Sequence, residues 1–472
     1  MKIGLVLEGS YPYVSGGVAS WAHMLIEQMS DHQFELITIT PGPLTEKDYK
    51  YKLPTNVTGV TNLALNQKYD RPAPKQALSK EQEILIQEWM RFQEVETPVF
   101  PIFEQAVGTS EHFFSSRLFF ELVKASYREE QQTGSFIDYL WMWRSMYSPV
   151  LELLQADMPK VDLVHSASTG YAGLVATAMQ QRQDIPFLLT EHGIYSRERE
   201  EELLQATWIP VEYRSYWIRF FHHLSREAYG GADDVITLFD RNSELQEELG
   251  ARPEKLRIIP NGIDATGLGA LERTEPGEVL LIGAIVRVVP IKDIKTMIHA
   301  AKILQEMRIP FELTIMGPLE EDEEYAEECA TLIQQFGLEK EVLLVGKVDI
   351  RAYLPRFDVC LLTSISEGQP LAVLEGMAAS VPWIVTDVGA CSELINGRAD
   401  DPYGPAGFVV PPVNPRRIAD RCAWMYNQRD EAKKLGDNGR QRALSYYQTN
   451  RFISEYRALY EERGLTYGGH RI

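Results

Sequence analysis

The chain has 472 residues, 44% of them hydrophobic and 10% aromatic, enough for two large or three ordinary domains with extensive cores. Its formal net charge is −20, so neither nucleic acid nor a broad anionic membrane face is an expected partner, since both require a positive footprint. No apolar stretch approaches the roughly 20 residues that cross a bilayer and no leader-like segment opens the chain, so a cytoplasmic location without a direct membrane span is expected.

The first predicted strand is Lys2 to Leu7. It runs into the loop Tyr-Pro-Tyr-Val-Ser-Gly-Gly-Val, and an amphipathic helix follows from Ala19. Gly16 and Gly17 let backbone approach a ligand closely, with the next helix directing its amino end toward it. The loop is not GxGxxG, so a dinucleotide fingerprint is absent. Further strands are predicted at Phe34 to Thr40, Asp162 to His165, Phe187 to Thr190, Val235 to Leu238 and Leu256 to Ile259, with helices between most of them, as in an α/β domain. A mostly helical insertion at about 65–160 interrupts it. The rings there (FFSSRLFFELV, FIDYLWMWRSMY) fit core packing or an interaction face better than a ligand platform. His192 follows the strand ending at Thr190 and so lies at a carboxyl end, where open α/β sheets bind ligands. A lone histidine is more often structural, and His165 is a weaker candidate of the same kind. Arg197, Glu198 and Arg199 are expected on a solvated face.

Asn261-Gly-Ile-Asp precedes a stretch rich in Gly, Glu and Thr up to Gly277, read as an interdomain linker because a new βαβ series begins at Glu278. Its strands, Val279 to Ile285, Phe311 to Met316, Val342 to Val345, Asp358 to Leu362 and Trp383 to Thr386, alternate with helices and predict a second parallel sheet. Arg287 and Lys292 put two cations at the first strand-to-helix turn, where fixed charge stabilises a leaving phosphate with little reorganisation. Glu367 and Glu375 stand eight residues apart. Gly368 and Gln369 make a turn, Pro370 takes the first helical position, and Leu371 to Ala379 is an apolar helical run. Glu367 then lies outside the helix and Glu375 in its second turn. The free N–H groups of Leu371 and Ala372 sit between them at the positive helix end, where a phosphate binds readily. One carboxylate is placed to accept sugar hydroxyls and the other ribose hydroxyls. On spacing alone the two glutamates read more readily as solvated helix charges than as a site. Cys329, Cys360, Cys391 and Cys422 recur every 31 residues in unlike surroundings (EECAT, DVCLL, GACSE, DRCAW), so the spacing is chance, and no zinc site or disulfide framework is supported. A last helix is expected over Arg451 to Glu462.

The segment Ser366 to Ala379, SEGQPLAVLEGMAA, resembles the Glu-x7-Glu signature of the retaining GT-B glycosyltransferases of family four. Val279 to Met297, VLLIGAIVRVVPIKDIKTM, is similar to the segment in which that family carries an Arg and a Lys at this spacing. SYPYVSGGVASW, TEHGIYSRER and NGID extend the likeness over nearly the whole chain, toward the Pel-type exopolysaccharide enzymes of the family. The resemblance implies an α/β GT-B fold of two Rossmann-like, doubly wound parallel-sheet domains facing across a cleft. Residues 1–268 would form the acceptor-side domain with its helical insertion, 269–445 the nucleotide-sugar domain, and 446–472 a helix packing back onto the first. It further implies transfer of a hexose or N-acetylhexosamine from a UDP-sugar to a growing polysaccharide, by a front-face mechanism that needs no metal and no cofactor. Glu367, His192, Arg287 and Lys292 would be catalytic. Gly16, Gly17, Arg287, Lys292, Leu371, Ala372 and Glu375 would hold the donor. Membrane-bound synthase subunits are the implied partners, which allows a peripheral position at the inner face of the membrane. Asp293 departs from the pattern, since many relatives have Gly after the Lys. Two other readings stay open, because fold alone does not fix a reaction: a UDP-sugar epimerase or hydrolase, and a non-catalytic UDP-sugar-binding subunit.

Overall fold

The structure is a computed structural model that describes residues 1–69, 78–106 and 108–468, so that residues 70–77 and 107 of the expected insertion lie outside the described residues. Short runs of Ile, Leu, Val and Phe, buried at nearly every position, form the strands of the first half, as in a sheet covered on both faces. These are β1 (Lys2–Glu8), β2 (Gln33–Thr40), β3 (Val57–Ala64), β4 (Leu163–Ser166), β5 (Phe187–Glu191), β6 (Asp234–Thr237) and β7 (Leu256–Ile258). They lie in the order β3-β2-β1-β4-β5-β6-β7, every neighbouring pair parallel. The order reverses between β1 and β4, where a doubly wound sheet opens a crevice beyond its carboxyl ends. β3 is missing from the expected strands. It is an edge strand, VTGVTNLA, whose Gly59, Thr and Asn residues dilute the apolar signal.

The insertion is helical, with helices Lys80–Met90, Phe100–Ala106, Ser110–Phe114, Arg117–Glu129 and Phe136–Gln155. Ser79, Thr109, Ser116 and Ser135 cap four of them, each side-chain oxygen accepting from the N–H three residues on. Trp89, Phe100, Trp143 and Tyr147 are buried in the same core as Val6, Ile37 and Leu189 of the sheet. The ring cluster is therefore core. Truncating Trp143 to Ala there costs about 3–5 kcal/mol.

The second half holds β8 (Leu280–Ile285), β9 (Phe311–Met316), β10 (Val342–Gly346), β11 (Val359–Leu362), β12 (Trp383–Thr386) and β13 (Gly407–Val410). All neighbours are parallel in the order β10-β9-β8-β11-β12-β13, with the reversal between β8 and β11. This sheet has its own core, which includes Ile282, Ile315, Leu361 and Trp383. β13 was also not among the expected strands, because Gly and Pro flank a run of only three apolar residues. Gly407 is required there: at φ 158° a Cβ would lie 1.9 Å from the Trp383 carbonyl oxygen.

The chain divides into two compact units, both Rossmann-like α/β. The first comprises Met1–Thr237, Ser243–Ile258 and the chain from Tyr456 onward; the second comprises Leu238–Asn242 and Ile259–Glu455. Ile263 and, within the stretch expected to be a linker, Ala265 and Leu268 are buried in the second core, so that part of the stretch, a short helix Ala265–Gly269, belongs to the second unit. The last helix, Thr449–Gly468, is longer than expected. Within the first unit its Tyr456 and Tyr460 are fully buried, and Arg463 forks onto Asp234 at 2.6 and 2.9 Å. The four cysteines are buried free thiols on three different helices and β11, so their even spacing marks no structural repeat.

Candidate functional site

In the second unit, the chain leaves β8 through the short turn Pro290–Lys292 and enters helix Ile294–Glu306. Asp293 joins them with φ 47° and ψ 53°, in the left-handed region, and its carboxylate accepts from the Thr296 N–H at 3.3 Å as the helix N-cap. Gly takes that backbone conformation freely, and Asp is among the few other residues that tolerate it while also capping. The departure from the family pattern at this position thus has a local structural reason.

Beyond β11, the Thr363 hydroxyl donates to the carbonyls of Lys292 and Asp293, both at 3.0 Å, and so ties the loop after β11 to the loop after β8. Ser364 Oγ donates to Glu367 Oε1 at 2.5 Å, and Lys292 Nζ donates to the same oxygen at 2.5 Å. The Lys292 and Glu367 side chains are 15% and 9% exposed, which makes removal of either partner costly, since it leaves the other charge largely desolvated. Arg287 is not brought to this pair. Its Nη1 meets Glu321 at 2.9 Å with 55% of the side chain exposed, an ion pair worth at most about 1 kcal/mol and easily exchanged for a phosphate.

Pro370 does not take the first helical position. With φ −72° and ψ 113° it is the N-cap of helix Leu371–Ala378, because the extended ψ ends the preceding turn. Its carbonyl accepts from the N–H groups of Val373 at 3.1 Å and Leu374 at 3.4 Å, which leaves those of Leu371 and Ala372 outside the helix ladder. Gln369 fixes the turn by accepting from the Asn261 N–H at 2.7 Å and donating to the Leu238 carbonyl at 3.2 Å. Glu367 precedes the helix and Glu375 lies in its second turn. Glu375 is half-buried, and its carboxylate makes no hydrogen bond among the described residues. Burial pushes its carboxyl up to about 7, against a smaller pull from the Arg351 charge. A carboxyl without a partner at such a place is ready for hydroxyl donors of a ligand. Among the described residues, no three His, Cys, Asp or Glu side chains converge as metal ligands.

In the first unit, Gly16 caps helix Gly17–Gln28. Its φ of 167° is extended backbone that any residue adopts, so what the two glycines supply is room: a Cβ on either would meet nothing within 4 Å. His192 directly follows β5, and its ring stands edge-on to Trp21 of that helix with centroids 4.8 Å apart. Its Nε2 is buried without a hydrogen-bond partner, and burial lowers its pKa to about 4, so the imidazole is neutral at pH 7. His165 differs. Both of its ring nitrogens are engaged, with Tyr460 Oη at 2.7 Å and Thr190 Oγ1 at 2.8 Å, as in a satisfied core histidine. Arg199 does not lie on a solvated face. It meets Glu8 at 3.3 Å and covers the Tyr195 ring, while Tyr195 Oη donates to Glu8 at 2.7 Å. Nothing in Arg-Glu-Arg tells which cation turns inward. Ser364 likewise escapes sequence reading, since Thr-Ser-Ile-Ser carries no spacing signal.

Residues 1–254 match the family described as a domain of unknown function (DUF3492), and residues 272–442 match the family described as glycosyl transferases group 1. The chain is similar to the MMP alpha-(1->4)-mannosyltransferase of Mycolicibacterium hassiacum, 24% identical over 309 residues that cover 64% of this chain and 70% of that protein. It is also similar to the putative colanic acid biosynthesis glycosyltransferase WcaL of Salmonella typhimurium, 26% identical over 284 residues that cover 57% of this chain and 63% of the relative, somewhat under two thirds of its length. In fold it is similar to the crystal structure of Anabaena Alr3699/HepE in complex with UDP, with a TM-score of 0.61, 14% identity, and coverage of 98% of this chain and 100% of that one. Two Rossmann-like parallel-sheet domains of this kind are those of a GT-B-type glycosyltransferase. The chain belongs to the DUF3492 family, whose model matches more than half of it, and its second half resembles the group 1 glycosyl transferases over residues 272–442. No helix among the described residues is long and apolar enough to cross a membrane.

Proposed function

We propose that the chain moves a hexose or N-acetylhexosamine from a UDP-sugar to a growing exopolysaccharide of Pel type, on the cytosolic side, with retention of anomeric configuration. The observation that carries this reading is the cluster at the β8/β11 reversal, where Lys292 and Ser364 hold Glu367 a few residues ahead of the free N–H groups of Leu371 and Ala372 and of the unpartnered Glu375.

In this reading Arg287, Lys292 and the helix amides take the donor diphosphate and supply the positive charge that grows necessary as the bond to the anomeric carbon breaks. Glu375 accepts the ribose hydroxyls, and Glu367 accepts hydroxyls of the transferred sugar. His192, neutral at pH 7, hydrogen-bonds the transferred sugar through its unpartnered Nε2. Gly16 and Gly17 leave room for donor or acceptor. The leaving phosphate oxygen takes the proton of the acceptor hydroxyl while that hydroxyl forms its bond on the same face of the sugar, so inversion is avoided and no separate base is needed.

UDP as carrier is supported by Alr3699/HepE, whose structures are described in complex with UDP, with UDP and glucose, and with UDP-glucose. A polymer acceptor is supported by the colanic acid relatives and by the likeness of SYPYVSGGVASW and TEHGIYSRER to the Pel exopolysaccharide enzyme PelF. Membrane-bound synthase subunits are then the partners that receive the product. The test is an assay of the purified protein with UDP-glucose, UDP-N-acetylglucosamine and UDP-N-acetylgalactosamine in the presence of an oligosaccharide acceptor. Acceptor extension matched by UDP release supports the proposal. Free sugar or an epimer, without extension, overturns it.

A further inference from the structure

The opposite end of the second sheet, at the amino ends of its strands, carries a feature that the donor site does not use. Asp358 stands immediately before β11 and Pro382 immediately before β12, whereas Ser364 and Glu367 follow the end of β11. Between those strand starts, the segment 271–276 and helix Arg429–Tyr446 lies a cavity of about 230 Å³. The helix directs Arg429, Lys433 and Arg440 toward it, at offsets of four and eleven residues that fall on one helical face. Arg273 enters from the other wall.

Four cations thus line the cavity against three acids, Glu275, Asp358 and Asp437, in a chain where Asp and Glu outnumber Lys and Arg by 67 to 47. Two of the cations are engaged. Arg429 stands 2.8 Å from Asp358 as an ion pair, and Arg273 donates to the carbonyls of Ser380 at 2.5 Å and Phe357 at 2.6 Å. The side chains of Lys433 and Arg440 have no hydrogen bond or ion pair among the described residues, and Arg440 Nε is buried without an acceptor. A buried N–H with no protein acceptor is open to an oxygen from water or from a ligand. A guanidinium and an ammonium around one cavity are the donor set that recognises a tetrahedral oxyanion.

We propose that this cavity binds a phosphate-type oxyanion, free or carried on a small molecule, at a site separate from the donor diphosphate. Lys433 and Arg440 donate to its oxygens. Arg273 and Arg429, held in place by their own partners, add field without giving up those bonds. Leu271, Pro382 and Met425 provide an apolar wall against which the body of a phosphorylated small molecule can rest.

Calorimetric titration of the full chain with inorganic phosphate and with glucose 6-phosphate, at ionic strength held constant with chloride, tests this. Saturable binding is expected in the wild type and in Lys292→Ala, and a loss of about tenfold or more in affinity in each of Lys433→Gln and Arg440→Gln. Lys433 is exposed, so its substitution leaves the fold intact even if that of Arg440 does not. Tighter binding of the sugar phosphate identifies a phosphorylated small molecule as the ligand, and equal binding identifies free phosphate; both uphold the site. No saturable binding, or binding indifferent to Lys433→Gln and Arg440→Gln, overturns it. Because Lys292→Ala disables the donor site in the proposed function, its retained phosphate binding separates the two.

Discussion

Glu375 holds its proton up to about 7 in the folded protein, against 4.5 when free, because burial disfavours the carboxylate. The folded state therefore binds this proton more tightly than the unfolded one. The stability this gives is present below pH 4.5, falls as pH rises, and is gone above about 7, where the folded protein carries a desolvated charge. Glu375→Gln should accordingly be more stable than wild type at pH 8, by about 1–3 kcal/mol, with the difference vanishing below pH 4.5 and UDP affinity lost. Urea unfolding at the two pH values reads this directly; equal stability at pH 8 would show that the carboxyl is not desolvated. His192 is the complementary case. Its pKa of about 4 keeps it neutral at working pH, so His192→Ala should spare UDP binding and abolish transfer, and normal transfer in that variant would remove its assigned role. The places of Lys292, Glu367 and Glu375 were legible in the sequence because they follow from strand ends and a helix start, whereas their assigned roles came from the family likeness. Ser364 and Arg199 were not, because their partners are set by how loops fold over one another.

At the scale of elements, Asp293 joins two demands in one residue. Its left-handed backbone favours Gly, while its side chain caps helix Ile294–Glu306. Asp293→Gly relieves the first and loses the second, so the net change should stay within about 1 kcal/mol, whereas Asp293→Ala loses the cap and retains the strain, at about 2 kcal/mol. Thermal melts of the two variants decide it; equal destabilisation would contradict the left-handed assignment. The central strands were readable as apolar runs between helices. β3 and β13 were not, since an edge strand tolerates Thr, Asn and Gly and a strand of four residues between Gly and Pro reads as loop. The Pro370 placement failed by one residue for a related reason: its fixed φ suits both the N-cap and the first turn, and only ψ separates them.

For the whole molecule, alternation of strands and helices was enough to predict two parallel α/β sheets, but the return of the last helix to the first unit came from a family likeness rather than from residue pattern. Tyr456 and Tyr460 are fully buried in that unit, and Arg463 is the bidentate partner of the buried Asp234. A chain ending at Glu455 loses two buried rings, each worth about 3–5 kcal/mol, against a stability of about 5–15 kcal/mol for a typical domain. The first unit should then lose its cooperative transition while the second keeps its own. Tryptophan fluorescence reports mainly on the first, which holds six of the eight tryptophans against Trp383 and Trp424 in the second, and an unchanged melt would contradict the placement of that helix.

The claim on which the rest depends is that the loops after β8 and β11 form a site for a uridine diphosphate. Calorimetric titration of the purified protein with UDP, GDP and ADP tests it most directly, with Lys292→Ala and Glu375→Ala as controls. The account predicts selective binding of UDP that both substitutions weaken by about tenfold or more. Equal binding of the three nucleotides, or UDP binding that ignores both substitutions, would contradict it.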